Sequence, residues 1–299
     1  MNKLPIIRAI RDARASASRV ALLTVLFSAI VPGLIFVAKA GDALPVGPGV
    51  PGDPAPHVVT DRTGTLQTKD GLTLHLNTDL GSVRIIVLGP GAPQAVHYIV
   101  HIETDARAPL AQNLLDRYAL SAKTVGSGVE ITGALPPQTG KSEAIAQFWV
   151  QFEVAVPTGY NVDVNTGVGD IETQDIGGTA NLVTQGGNIR AGRIGFNIVR
   201  NVSLNHPLAK LSTQGGHIQV QDVAGDLDAF TAGGHIVAGN VAGDGTLRTG
   251  GGHIRAGQIG GRAQLETDGG NITLKQAGSF VSVRTGGGQI DFGEVRGSV

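Results

Sequence analysis

The sequence predicts an all-β fold, a single-chain parallel β-helix or β-solenoid in which each 18-residue repeat forms one coil. Three observations predict it: the fixed repeat, the alternation of apolar and polar residues within it, and the glycines between the alternating runs. Self-similarity at a short fixed period is typical of solenoids, and alternation over two residues is typical of strands. Glycine supplies 45 of the 299 residues, about twice its usual share of roughly 7%.

A threonine marks each repeat in residues 166–299, which we predict to be a seven-coil β-solenoid. These threonines are Thr166, Thr184, Thr213, Thr231, Thr249, Thr267 and Thr285. Successive threonines are 18 residues apart, except for one step of 29 that contains an 11-residue insertion within residues 194–211. Helical repeats need roughly 33 to 47 residues, so the shorter repeat here has room only for short strands and tight turns.

Two further positions do not vary when each repeat is numbered from its threonine. Position 4 is Gly169, Gly187, Gly216, Gly234, Gly252, Gly270 and Gly288. Position 6 is Ile171, Ile189, Ile218, Ile236, Ile254, Ile272 and Ile290. We expect the isoleucines to form a buried column, each contributing roughly 1.5–3 kcal/mol. We expect the glycines to turn the chain at corners that need a positive φ.

Successive coils should pair as parallel strands about 4.8 Å apart. A coil of 18 residues also suits a left-handed hexapeptide helix. Because the pattern does not divide into equal hexads, it favours a right-handed or irregular solenoid.

Residues 58–165 are predicted to form an N-terminal coil interrupted by a small α+β excursion. The phasing of the repeat reappears at Leu74, Leu76, Thr78, Gly81, Val83 and Ile85. Within residues 87–160, strand-like segments at 96–103, 128–132 and 148–157 accompany a helix-like segment at 110–120. Because terminal repeats of such folds need a cap, we expect the excursion to cover the N-terminal coil.

The N-terminus carries an apolar stretch from Val20 to Ala38, preceded by several basic residues. Basic residues before an apolar run place the N-terminus in the cytoplasm. Residues 1–40 therefore indicate either a cleaved signal peptide or a retained anchor helix, which would contact the membrane through residues 20–38. The Pro/Gly-rich residues 41–57 are expected to form an extended linker. Both alternatives predict an exported protein of the cell envelope.

Charge and composition exclude several classes of function. The formal net charge is −1 and both signs are interspersed, whereas a nucleic-acid surface needs clustered Lys and Arg. The absence of cysteine excludes disulfides, thiolate metal sites and cysteine nucleophiles. We predict no catalytic residue, no cofactor and no nucleic-acid partner.

Position 5 of the repeat is polar and includes three histidines, His217, His235 and His253, one repeat apart. The full series is Asp170, Asn188, His217, His235, His253, Asn271 and Gln289. Such a ladder could bind a metal or sense pH. Alternatively, it is an outward position at which His, Asn and Gln are interchangeable. A straight ladder does not converge on one ion as a tetrahedral site requires, so we predict no metal site.

Asp226, Asp228 and Asp244 recur at nearby positions of the cycle. Paired carboxylates would suit glycoside cleavage, so a polysaccharide-active β-helix enzyme is an alternative reading. Only one repeat carries an insertion that could build a groove, which favours a solvated acidic face and a protein that is not an enzyme.

The sequence resembles the bacterial putative adhesin family, which consists of exported glycine-rich solenoids, over about residues 66–299. The resemblance is carried by LTLHLNTDLGSVRI, by FEVAVPTGYNVDVNTGVGDIETQDIGGTANLVTQGGNI and by the repeat that follows. It implies an envelope location and adhesion, and it brings no catalytic residues with it.

Three functions follow from this sequence. The first is a non-enzymatic envelope scaffold that binds an unidentified surface ligand, either a protein or a polysaccharide. The second is the polysaccharide-active enzyme, and the third is a self-assembling structural protein of the envelope. Because exposed strand edges recruit other strands, we also predict a homodimer through the C-terminal coil.

Overall fold

The computed structural model describes residues 58–105, 110–135, 148–196 and 207–297. All of them belong to one compact unit, residues 57–299. The predicted signal or anchor segment between Val20 and Ala38 and the predicted linker at 41–57 lie outside the described residues. In the part of the chain that is described, no helix is both long and apolar enough to cross a bilayer.

The fold is all-β, with a single short helix among the described residues. Its first part contains β1 (Val58–Gln67), β2 (Thr73–Leu80), β3 (Ser82–Val87), β4 (Ala95–Thr104), α1 (Leu110–Arg117), β5 (Ala119–Val125), β6 (Gly128–Ala134) and β7 (Phe148–Val156). The repeats contain β8 (Asn161–Val168), β9 (Ile171–Thr173), β10 (Ala180–Thr184), β11 (Ile189–Ala191), β12 (Ala209–Thr213), β13 (Ile218–Val220), β14 (Leu227–Thr231), β15 (Ile236–Ala238), β16 (Gly245–Thr249), β17 (Ile254–Ile259), β18 (Ala263–Thr267), β19 (Ile272–Ala277), β20 (Val281–Thr285) and β21 (Ile290–Val295).

These strands form two long mixed sheets. Sheet A has 11 strands in the order β1-β4-β7-β3-β9-β11-β13-β15-β17-β19-β21. Sheet B has 10 strands in the order β20-β18-β16-β14-β12-β10-β8-β2-β6-β5. From β8 onward the chain alternates between the sheets, so that each repeat contributes one strand to each.

Neighbouring repeats pair in parallel and in register, like residue on like residue. Leu247 lies opposite Leu265 in sheet B, and Ile254 lies opposite Ile272 in sheet A. Isolated bridges join a third side of successive repeats, from Ile176 through Val241 to Ile259. The alternation seen in the sequence therefore points one set of apolar side chains inward and stacks it into a continuous core.

The position-6 isoleucines are the spine of that core, with one exception. From Ile171 to Ile272 they are at most 1% exposed. Ile290 departs from the predicted buried column, because it is 43% exposed. It lies on β21, which is the edge strand of sheet A, so that no described strand covers it.

The position-4 glycines are required for a reason other than the predicted one. Only Gly169 of this set has a positive φ, at 147°. A Cβ added at Gly234 would lie 1.9 Å from the carbonyl oxygen of Gly216, and one at Gly252 would lie 1.9 Å from that of Gly234. Glycine is therefore needed because the backbones of successive repeats approach closely at this corner. The expected positive φ is found at Gly169 and was wrong for the other six glycines of this set.

The segment before the first full repeat follows the phasing of the repeat. In the register, Thr78 lies opposite Thr166 and Val83 lies opposite Ile171. The excursion then adds a further layer on the other side, because β6 pairs in parallel with β2 and β7 pairs in parallel with β3. Stacking order and chain order therefore differ at this end of the sheets.

Antiparallel strands complete the N-terminal end of both sheets. In sheet A, β4 pairs with β7 and β1 pairs with β4, and in sheet B, β5 pairs with β6. The excursion thus lengthens the two sheets and carries the core onward, with Phe152 and Tyr118 at most 2% exposed. Trp149, which also lies on β7, is 42% exposed.

Candidate binding surface: the ladder at position 5

The three histidines of position 5 stack face to face at the corner that leads into sheet A. The ring centroids of His217 and His235 are 4.9 Å apart with an interplanar angle of 12°. Those of His235 and His253 are 4.9 Å apart with an angle of 15°. All three side chains are exposed. The in-register pairing of β13, β15 and β17 thus turns a sequence repeat into a straight row of imidazoles.

Each ring also satisfies the backbone of the next repeat. The backbone N–H of His235 donates to Nδ1 of His217 at 2.9 Å, and that of His253 donates to Nδ1 of His235 at 2.8 Å. The N–H of Asn271 donates to Nδ1 of His253 at 2.8 Å. A backbone N–H without a partner is costly, so the side chain at this corner replaces a carbonyl that the strand ladder does not supply.

Asp and Asn perform the same task elsewhere in the ladder. The N–H of Asn188 donates to Oδ1 of Asp170 at 2.7 Å, and the N–H of His217 donates to Oδ1 of Asn188 at 2.8 Å. Farther along, the N–H of Gln289 donates to Oδ1 of Asn271 at 3.0 Å. Position 5 therefore suits residues that carry a hydrogen-bond acceptor two bonds beyond Cβ. Oδ1 of Asp and Asn and Nδ1 of His all meet this requirement, which explains why these residues exchange at this position.

This arrangement fixes the tautomer of the imidazoles. A backbone N–H can only donate, so each Nδ1 acts as an acceptor and the single proton of the neutral ring lies on Nε2. The outward atoms of the ladder are therefore the Nε2–H groups of the three histidines. The side-chain oxygen of Asn271 likewise accepts a backbone N–H, so its amide N–H₂ is the group that remains as a donor. The exposed edge from His217 to Asn271 consists of hydrogen-bond donors.

The surroundings of His235 favour the neutral form of its ring. Partial burial lowers the pKa of His235, and the neighbouring His217, His253 and Arg255 lower it further by charge repulsion. Protonation would place a hydrogen on Nδ1, where the backbone N–H of His253 already points. It would also stack a charge against two similar rings.

The ladder as built does not suit a metal shared between rungs. A neutral histidine ligates through the nitrogen that lacks a proton, and here that nitrogen accepts from the backbone. A metal lies about 2.0–2.1 Å from each ligating nitrogen, which is too short to join rings whose centroids are 4.9 Å apart. Among the residues that the structure describes, no group of three His, Asp or Glu side chains is arranged to hold a metal ion.

The surroundings of the ladder are open on one side and polar on the other. Position 3 is an exposed glycine in successive repeats, and a Cβ added at Gly215, Gly233 or Gly287 would meet nothing within 4 Å. This leaves a strip of bare backbone beside the rings. On the other side, the outward residues of β11 and β17 include Arg190 and Arg255.

The predicted acidic cluster is divided between two roles. Oδ1 of Asp226 accepts the backbone N–H of Asp244 at 2.7 Å, and Oδ1 of Asp244 accepts that of Arg262 at 2.7 Å. Asp228 lies instead on the outward face of β14, opposite Lys210. The backbone N–H of Arg262, aided by its guanidinium, lowers the pKa of Asp244. A carboxyl with a lowered pKa is a poor general acid, which applies to Asp244. Asp226 and Asp244 act as a second corner ladder because each accepts a backbone N–H of the next repeat.

The structural role of the repeat threonines was not apparent from the sequence. Oγ1 of Thr231 donates to the carbonyl oxygen of Gly216 at 2.8 Å and accepts the N–H of Gly234 at 3.1 Å. Equivalent bonds recur at Thr249 and Thr267. The fixed spacing from Thr to Gly was the available signal, since a buried hydroxyl must find partners.

No protein-family model and no curated protein matches the chain. Several solved structures show likeness, each at low identity. A putative cell adhesion protein from Clostridium sporogenes is 8% identical, with 79% of this chain and 100% of that chain covered and a TM-score of 0.31. A putative adhesin from Parabacteroides merdae is 9% identical, with 78% and 95% covered and a TM-score of 0.31. A putative lipid binding protein from Parabacteroides distasonis is 13% identical, with 80% and 96% covered and a TM-score of 0.25.

The names of the first two proteins agree with the family that the sequence resembles. At these TM-scores, the likenesses carry no argument about the activity of this chain.

Proposed function

We propose that this chain is a non-enzymatic β-solenoid of the bacterial cell envelope that presents a flat, periodic surface for binding. The observation that carries the proposal is the in-register stacking of identical positions, seen most clearly in the imidazoles of His217, His235 and His253. A surface built this way repeats the same group once per repeat. Its natural ligand is one that also repeats.

Periodicity makes such a surface effective without a dominant residue. When several weak contacts lie on one rigid support, each contact after the first forms at high effective concentration. The core from Ile171 to Ile272 supplies that rigidity, because its side chains are stacked and buried. Removal of one rung should therefore weaken binding without abolishing it.

The corner carboxylates support a binding role over catalysis. Asp226 and Asp244 each hold a backbone N–H of the following repeat. Glycoside cleavage needs two carboxyl groups that are free to act on the scissile bond, whereas Oδ1 of each of these carboxylates accepts a backbone N–H.

The envelope location rests on residues 20–38 and on the family resemblance. We infer that this apolar segment directs export, either as a cleaved signal or as an anchor. The segment VALLTVLFSAIVPGLIFVA is long enough to span a bilayer.

Cell fractionation of the producing bacterium, with antibodies against the chain, tests the location. We expect the chain in the envelope fraction, and a purely cytosolic distribution would overturn the proposal. Binding of the purified full-length chain to arrays of envelope polysaccharides and proteins tests the activity. Cleavage of any of these polysaccharides, without stable binding to it, would instead support the alternative of a polysaccharide-active enzyme.

A further inference from the structure

We propose that the position-5 ladder is the binding site for a straight acidic polysaccharide, whose oxyanions accept hydrogen bonds from its outward N–H groups. This inference rests on the proposed function and adds the class of ligand. In the ladder from His217 to Asn271, the backbone N–H groups behind the side chains dictate which side-chain atoms remain to face outward.

The backbone determines that the outward atoms of the ladder are hydrogen-bond donors. Each rung must offer an acceptor inward, because the N–H of the next repeat is 2.8–2.9 Å from Nδ1 of His217, His235 and His253. The atom left to face outward is then a donor in every ring. A ligand that lies along this row must present acceptors, and oxyanions are the strongest acceptors because hydrogen bonds to ionised groups are about twice as strong as neutral ones.

The spacing selects among polymers that carry acceptors. Successive rings are 4.9 Å apart in a straight line. Carbonyls on one side of an extended peptide recur only about every 6.6–6.8 Å, so a peptide strand falls out of step with the rungs. An extended pyranose chain advances by a step similar to the rung spacing, which allows one carboxylate or sulfate for each rung or for each second rung.

The charge of the surroundings supports an acidic polysaccharide over a nucleic acid. Arg190 and Arg255 lie beside the ladder on sheet A, while the chain as a whole has a formal net charge of −1. Nucleic-acid affinity depends on the neutralisation of many phosphates by Lys and Arg, which this surface does not offer. The bare glycine strip at Gly215 and Gly233 gives a bulky sugar chain room to approach the rings.

Two substitutions at His235 separate the outward donor from the inward acceptor. His235→Asn keeps the inward acceptor, as Asn188 and Asn271 do at the same position, and its amide N–H₂ remains as a donor. His235→Asp keeps the inward acceptor, as Asp170 does, but replaces the outward donor by a carboxylate oxygen. The two variants are closely matched in size and should fold equally well, which their melting temperatures will show.

Binding of the purified full-length chain is measured on immobilised polygalacturonate, dextran sulfate and neutral dextran. We expect the wild type to bind at least one of the two acidic polymers and not dextran. His235→Asn should change the Kd by less than about threefold, whereas His235→Asp should weaken it by about tenfold or more, as expected when a charge-assisted bond becomes a repulsion.

Three results would overturn this inference. The two variants could bind with equal affinity, the wild type could bind dextran as tightly as the acidic polymers, or it could bind neither acidic polymer. In each of these cases the chain would still be found in the envelope fraction and would still retain some other envelope component. A cytosolic chain that retains no envelope component would overturn the proposed function itself.

Discussion

The imidazole of His217 accepts the backbone N–H of His235 through Nδ1 at 2.9 Å while the two rings stack with centroids 4.9 Å apart. One side chain thus holds two repeats together and also forms part of the exposed surface. Stability and surface chemistry are therefore coupled at this corner, and the coupling can be measured.

Acid should destabilise the fold through the ladder. The pKa of His235 is lowered in the folded state, chiefly by partial burial, so the unfolded chain binds more protons as the pH falls. This contribution is fully present above the ordinary pKa of about 6.5 and is lost as the pH drops below it.

Melting temperatures between pH 8 and pH 5 test this expectation. The wild type should lose more thermal stability over this range than His235→Asn, which keeps the backbone acceptor but does not titrate. Parallel pH profiles for the two proteins would show that the ladder makes no such contribution.

Gly234 should tolerate no side chain, in contrast to its neighbour Gly233. A Cβ at Gly234 would lie 1.9 Å from the carbonyl oxygen of Gly216, whereas one at Gly233 would meet nothing within 4 Å. We expect Gly234→Ala to cost more than about 3 kcal/mol of unfolding free energy, and Gly233→Ala to change it by less than about 1 kcal/mol.

Denaturant titrations of the two alanine variants provide the comparison. If both lose the same stability, the close approach of the backbones does not govern position 4. Loss at Gly233 alone would point to a conformational requirement at the adjacent position.

The sequence was sufficient to find the repeat and its phase, because Thr231, Gly234 and Ile236 recur at fixed offsets. It was insufficient to explain Gly234, since the clash involves Gly216, and such contacts between repeats appear only once the register is known. The layer order at the N-terminus was also missed, because β6 and β7 stack beyond β2 and β3 although they follow them in the chain. For the candidate site, the recurrence of His217, His235 and His253 was visible, but the orientation of their nitrogens depends on backbone N–H groups that no local pattern reveals.

The hydroxyl of Thr231 should contribute more to the free energy of unfolding than the hydroxyl of an outward-facing threonine. Thr231→Val removes the donor to Gly216 O and the acceptor for Gly234 N–H while it keeps the shape of the side chain. Buried groups left without partners cost about 1–3 kcal/mol each. Thr246→Val, on the outward face of β16, should change stability by less than about 0.5 kcal/mol. If the two variants have the same denaturation midpoint, the hydrogen bonds of Thr231 do not stabilise the corner between repeats.

Substitution of Ile by Asp at position 6 should destabilise the protein more in a buried repeat than at the edge of the sheet. Ile236 is fully buried and Ile290 is 43% exposed, although both occupy position 6. Ile236→Asp places a carboxylate among apolar side chains and should unfold the protein. Ile290→Asp leaves the charge partly solvated and should preserve the β-type circular dichroism spectrum. A folded Ile236→Asp variant with the wild-type melting temperature would contradict the stacked core.

The exposed end of the two sheets should cause the protein to self-associate. In the described residues, β20 and β21 are the edge strands at this end of sheets B and A. They leave Ile290 43% and Phe292 39% exposed. Exposed edges recruit other strands, and an isologous contact between equal edges closes as a two-fold dimer.

Analytical ultracentrifugation of the full-length chain measures this association. We expect a dimer that Ile290→Asp combined with Phe292→Asp converts to monomer, because the two carboxylates would face their counterparts in the second copy. Val237→Asp is the matched control, since Val237 is 40% exposed but lies on the outward face of β15, away from either edge. It should leave the dimer intact. A monomeric wild type at high micromolar concentration, or a dimer that the edge variant does not disturb, would place self-association elsewhere or exclude it. The control also distinguishes an edge contact from nonspecific hydrophobic association. Val237 and Ile290 expose similar fractions of an apolar side chain, but only Ile290 lies on an edge strand.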